Sequence, residues 1–106
     1  MKFTPDELLA KLPLPANERW PDGVRDVEAF AKDGVRLVLF APREVDRQTA
    51  HDDDDEFYFV IRGSAEFVMN GRQQSVGPGD ALFVPAGAEH RFDLLSEDFA
   101  TWAVFF

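Results

Sequence analysis

From Val24 onward the chain alternates short apolar runs with turn residues. VEAFA and VRLVLFA flank Lys32, Asp33 and Gly34, EFYFVIR runs into Gly63-Ser64, AEFVM into Asn70-Gly71, and QQSV into Gly77-Pro78-Gly79; ALFV, RFDLL and TWAVFF follow. Short runs rich in Val, Leu, Ile and Phe, recurring at roughly 8 to 12 residues between turn signals, predict the strands of an all-β sandwich or barrel. The Asp33-Gly34 step predicts a tight hairpin. Within EFYFVIR, alternation puts Glu56, Tyr58 and Val60 on one face and Phe57, Phe59 and Ile61 on the other.

The segment before these runs has a different period. Thr4, Pro5 and Glu7 form a capping-box pattern with proline at the first helical position, and Leu8, Leu9 and Leu12 follow on one side of a short helix. Pro13 and Pro15 stop it. Residues 1–22 therefore read as an N-terminal helix and arm, and residues 23–106 as the barrel it packs on. A length of 106 residues suits one hydrophobic core and one domain.

Composition narrows the partners. Eleven Lys and Arg against 20 Asp and Glu give a formal charge of -9, which repels phosphate backbones and anionic headgroups, so neither nucleic acid nor a membrane surface is an expected partner. With no cysteine there is no disulfide and no thiolate ligand, and any metal must use nitrogen and oxygen donors. The N-terminal stretch lacks the unbroken apolar run of a secretory signal, and no run approaches transmembrane length, so a cytoplasmic protein is the expectation. Ser64, Ser75 and Ser96 lack a nucleophile-elbow context, and Gly77-Pro78-Gly79 reads as a turn rather than a phosphate cradle.

The chain has two histidines, His51 and His90, and each sits in a spaced pattern. Thr49-Ala50-His51 is followed by four residues, Glu56, six residues and Gly63; Gly79 is followed by five residues, Pro85-Ala86-Gly87, two residues and His90. Strand alternation points Glu56 into the barrel, Gly63 permits the turn after it, and the turn at Pro85 and Gly87 brings His90 onto the next strand, with Phe92 and Leu94 on its face. Two neutral imidazoles and a carboxylate suit Fe(II), Mn, Ni, Co or Zn and leave positions open for water or substrate. In the alternative, both histidines are exposed at loop edges and Glu56 pairs with an arginine.

The two patterns together, over residues 45–94, resemble the paired motifs of the cupin superfamily. The resemblance implies a double-stranded β-helix, or jelly-roll barrel, holding one divalent transition metal through His51, Glu56 and His90. It also implies oxygenase or isomerase type chemistry on a small organic molecule, with Tyr58 as a candidate proton donor or hydrogen-bonding group. A binding or sensing module on the same barrel is the alternative. Two positions depart from the pattern: Thr49 stands where the family has its first histidine, and Leu94 where an asparagine is frequent. A rival register, His51-x-Asp53 with His90, needs a basic residue in the pocket, and Arg91 is predicted to point away from it. The run Asp52 to Asp55 reads as a solvated loop that disfavours anionic substrates. Finally, Phe57, Phe59 and Ile61 would form an apolar patch on a solitary barrel, which together with TWAVFF predicts a homodimer unless the arm, with Leu8, Leu9, Leu12 and Trp20, covers it.

Overall fold

The structure is a computed structural model and describes residues 1–46, 48, 50 and 53–106. A one-turn helix, α1 (Pro5–Leu9), is followed by β1 (Asp26–Lys32), β2 (Val35–Phe40), β3 (Glu56–Arg62), β4 (Ala65–Met69), β5 (Arg72–Val76), β6 (Ala81–Val84), β7 (His90–Asp93) and β8 (Ala100–Phe105). Thr4 caps the helix as its sequence requires, its hydroxyl accepting from the Glu7 amide at 3.3 Å.

Each predicted run became a strand, and the strands form two antiparallel sheets. One has the order β1-β2-β8-β3-β6 and the other β5-β4-β7. The last strand lies between β2 and β3, so the sheet closes on contacts far apart in sequence, the jelly-roll arrangement. The hairpin between β1 and β2 turns at Asp33 and Gly34, with φ of 50° and 83°, the left-handed pair of a type I′ turn. Gly63 does a different job: its φ is 78°, and a Cβ there would lie 2.6 Å from the Cα of Phe99. Only glycine lets the β3–β4 turn sit this close to the segment leading into β8.

The core fills the space between the sheets. Val38, Phe40, Tyr58, Val60, Phe67, Val84, Phe92, Phe99 and Phe105 are buried there in one cluster. Phe92 makes tilted or edge contacts with Tyr58, Phe67 and Phe99 at centroid separations of 4.9 to 5.1 Å.

One expectation for β7 fails. Leu94 does not continue the face of His90 and Phe92; the strand ends at Asp93, and Leu94 takes a φ of 51° and is 78% exposed. The chain turns out of the sheet there, so a residue two positions on no longer obeys strand alternation.

The arm covers only part of the outer face of the larger sheet. Helix α1 packs on β2, where Leu8 and Leu39 are both buried, and Phe3 meets Phe30 of β1 at 5.8 Å. Trp20 instead packs edge-on against Phe40, a residue of the inner core. Outward from β3 and β6, Phe59 and Phe83 remain 44% and 45% exposed, and Phe106 45%. Among the described residues, no helix is long and apolar enough to cross a membrane.

Candidate metal centre

Glu56 opens β3 and His90 opens β7, so the two lie on different sheets and face each other across the sandwich. Their side chains are almost wholly buried, with His90 Nε2 3.3 Å from Glu56 Oε1. Tyr58, two residues along the same face as Glu56, is fully buried, and its hydroxyl lies 3.2 Å from His90 Nε2. Alternation thus places Glu56, Tyr58 and Val60 inward, as the sequence predicts. His51 and Thr49 lie outside the described residues.

A fourth side chain joins this group. Gln48 Oε1 lies 3.1 Å from His90 Nε2 and accepts from the Tyr58 hydroxyl at 2.8 Å. Behind it stands Asp46, buried, whose Oδ2 accepts from Gln48 Nε2 at 2.5 Å and from the Phe92 amide at 2.9 Å, while Oδ1 accepts from the Gln48 amide at 3.0 Å. Neither Asp46 nor Gln48 belongs to the spaced motifs. Their signal in the sequence is their proximity to His51, which strand periodicity cannot interpret because neither Asp46 nor Gln48 lies in a strand.

The protonation pattern follows from donors and acceptors. His90 Nδ1 lies 2.9 Å from the carbonyl oxygen of Ala88, which can only accept, so Nδ1 carries a hydrogen. In the neutral ring Nε2 is then a lone pair facing the oxygens of Glu56 and Gln48. Burial opposes charge on the ring. The hydrogen bonds to Glu56 and Ala88 and the charges of Glu56 and Asp46 outweigh it, holding the His90 pKa above its ordinary value. Burial also pushes the Asp46 carboxyl up, against the bonds it accepts from Phe92 and Gln48. For Tyr58, burial and then the negative charges of Glu56 and Asp46 raise the phenol well above its usual value, so it keeps its proton.

The donor set fits a divalent ion. Ligand atoms about 2.0–2.2 Å from one ion in tetrahedral or octahedral geometry lie about 3.0–3.5 Å apart, and the contacts of His90 Nε2 with Glu56 and Gln48 fall within that range. Among the described residues no third His, Asp or Glu joins His90 and Glu56 at ligating distance.

A pocket of about 210 Å³ reaches this group, with Gln48, Glu56 and Tyr58 in its wall, Trp20, Val38, Phe40 and Phe105 as apolar lining, and Arg19, Arg36, Asp26 and Glu28 also lining it. The sequence reading missed both arginines, because neither lies near a motif. Arg36 sits over the Phe105 ring at 4.5 Å and within 3.8 Å of Asp54, offsetting part of the acidic run. Arg91 behaves as predicted: it is exposed and bonds both oxygens of Asp93, away from His90.

Comparison with known proteins places the fold. An uncharacterized protein of Streptomyces coelicolor is 32% identical over 92 residues, 76% of this chain and 87% of the other. The 3-hydroxyanthranilate 3,4-dioxygenase of Mus musculus is 31% identical over 84% of this chain but only 37% of its own length. The dimethylsulfoniopropionate lyase DddQ of Ruegeria pomeroyi is 35% identical over 58% of this chain and 31% of its own sequence. Its crystal structure superposes with a TM-score of 0.64 at 25% identity, covering 77% of this chain and 47% of that one. The chain thus spans about a third of the length of the two named enzymes. The family model described as a cupin domain, of the cupin 2 type, matches residues 36–106, two thirds of the sequence and all but the first of its strands, and the chain belongs to that family.

Proposed function

We propose that this cupin holds one divalent transition metal, Fe, Mn, Ni, Co or Zn, through His51, Glu56 and His90, and acts on a small organic molecule by oxygenase or isomerase type chemistry. The carrying observation is the convergence of ligand-type atoms in a buried space: a Glu56 carboxylate oxygen and the Gln48 carboxamide oxygen lie 3.3 and 3.1 Å from His90 Nε2. Such nitrogen and oxygen donors at that spacing suit one divalent ion.

When bound, a divalent ion supplies Lewis acidity toward a substrate oxygen and, for Fe or Mn, redox chemistry. The chain's own residues contribute the rest. Ala88 fixes the ring tautomer of His90 so that Nε2 faces the site. Trp20, Phe40 and Phe105 shed water from the pocket and limit the ligand to a small molecule, and Arg36 offers a positive group at its wall. A relative named as a dioxygenase and another named as a lyase support chemistry on a small organic molecule.

The binding-module reading keeps one observation of its own. The hydroxyl of Tyr58, the candidate proton donor, is committed to Gln48, to which it donates at 2.8 Å. In that reading Tyr58 positions ligands and moves no proton. Self-association through the outer face of β3 and β6 is part of the same proposal, since the arm covers β2 and leaves Phe59, Phe83 and Phe106 in solvent.

Metal content of the purified protein, followed by calorimetric titration of Fe(II), Mn(II), Ni(II) and Zn(II) into the metal-free form, tests the proposal. One ion per chain is expected, with binding abolished in His90→Ala. Unaltered binding in His90→Ala sinks the metal reading. Metal bound without turnover of any oxygenase or isomerase substrate class favours the binding module.

A further inference from the structure

The motif resemblance leaves Thr49, a poor ligand, where a histidine is expected, and so implies a site short of one donor. The structure puts another oxygen into the site. Gln48 Oε1 is directed at His90 Nε2 and lies at 3.1 Å, a spacing that two donors to one ion would have. The amide cannot be turned the other way round. Its nitrogen meets Oδ2 of Asp46, an oxygen already accepting the Phe92 amide, and reversal would set the carboxamide oxygen against that acceptor. In this orientation Oε1 also accepts from the Tyr58 hydroxyl at 2.8 Å.

We infer that Gln48 supplies a protein donor that Thr49 does not, its carboxamide oxygen joining Glu56 and His90, and that Asp46 is the positioning residue that aims it. The inference rests on the metal reading above. Asp46 bonds the backbone of Phe92, two residues beyond His90, so the loop that carries Gln48 is anchored to the strand that carries the imidazole. The two donors are held in one frame before any ion arrives. Exchanging an imidazole for a carboxamide oxygen also makes the set harder, which favours Mn(II) or Fe(II) relative to Zn(II) when compared with an all-histidine site.

The test is titration of Mn(II) alone and Zn(II) alone into the metal-free protein and its variants, with circular dichroism to confirm the fold. Gln48→Ala should weaken Mn(II) by about tenfold or more and Zn(II) by less, whereas Gln48→His should tilt the Zn(II)/Mn(II) affinity ratio toward Zn(II) by a similar factor. Asp46→Asn should weaken Mn(II) in the same direction, by about tenfold, and Thr49→Ala should change neither ion. Should Gln48→Ala fail to fold, Gln48→Glu replaces it and should tighten Mn(II) by adding charge to the same position. Wild-type affinities and an unshifted ratio in the Gln48 variants, with binding lost in His90→Ala, would overturn the inference and leave the metal reading standing. Retention of binding in His90→Ala removes both.

Discussion

The two faces of β3 solve opposite problems with the same seven residues. Inward, Glu56, Tyr58 and Val60 are buried, and the two polar groups are placed against His90 and Gln48. Outward, Phe57 stacks on Phe59 and Phe106 at 5.8 and 5.7 Å and meets Phe83 at 5.2 Å, with three of these four rings nearly half exposed. The polar residues are hidden and the apolar ones are shown, the reverse of a solitary sandwich. This inversion is the observation on which both proposals, an interior site and an exterior that meets a second copy, rest.

The widest gap between the faces should appear in stability. Phe92→Ala removes a ring packed by Tyr58, Phe67 and Phe99 and should cost about 3–5 kcal/mol in urea unfolding. Phe83→Ala on the outer face should cost about 1 kcal/mol or less under monomeric conditions. Equal costs would erase the distinction.

A second break acts on assembly. Phe59→Glu combined with Phe83→Glu should turn a species of twice the 12.0 kDa chain mass into one of single mass in sedimentation at micromolar concentration, with metal affinity unchanged. Wild-type protein that sediments at single mass would show that the aromatic face needs no second copy.

How much of this was legible beforehand depends on periodicity. Strand positions, the inward trio of β3 and the hairpin at Asp33-Gly34 follow from patterns of two residues and from turn chemistry, both local properties. Leu94 was misplaced because a left-handed residue at the strand end interrupts that period. Gln48 and Asp46 went unnoticed for a related reason: they lie outside the strands, where no period applies, and their role emerges only when Phe92 and His90 arrive from more than 40 residues away. Arg19 and Arg36 reach the pocket from the arm and from β2, through tertiary contacts alone.

The pH response of the inner face sharpens the comparison further, and its sign differs between the metal-free and metal-loaded protein. His90 has a folded-state pKa raised above its value of about 6.5 in the unfolded chain. Its contribution to metal-free stability is therefore fully present below about 6.5 and is lost as pH rises through the raised value. Metal affinity should move the other way, since protons compete for Nε2 in the same window. Thermal melts from pH 6 to 9, with and without Zn(II), should separate progressively as pH rises; parallel curves would mean that proton and metal do not share the nitrogen.

The smallest effect belongs to Tyr58→Phe. It deletes one hydrogen bond to Gln48 and keeps the ring, so a loss of about 0.5–1.5 kcal/mol is expected in chemical denaturation. A much larger loss would place the phenol among the structural keys of the core.

Glu56 belongs to the five-stranded sheet and His90 to the three-stranded one, so the site is also a rivet through the sandwich. An ion gripped there would clamp the two layers at one end, and its loss would free them to part at the pocket mouth first. Ligand exchange and breathing of the sheets would then be one motion: slower hydrogen exchange at the Phe92 and Tyr58 amides would report occupancy of the site without any substrate being known.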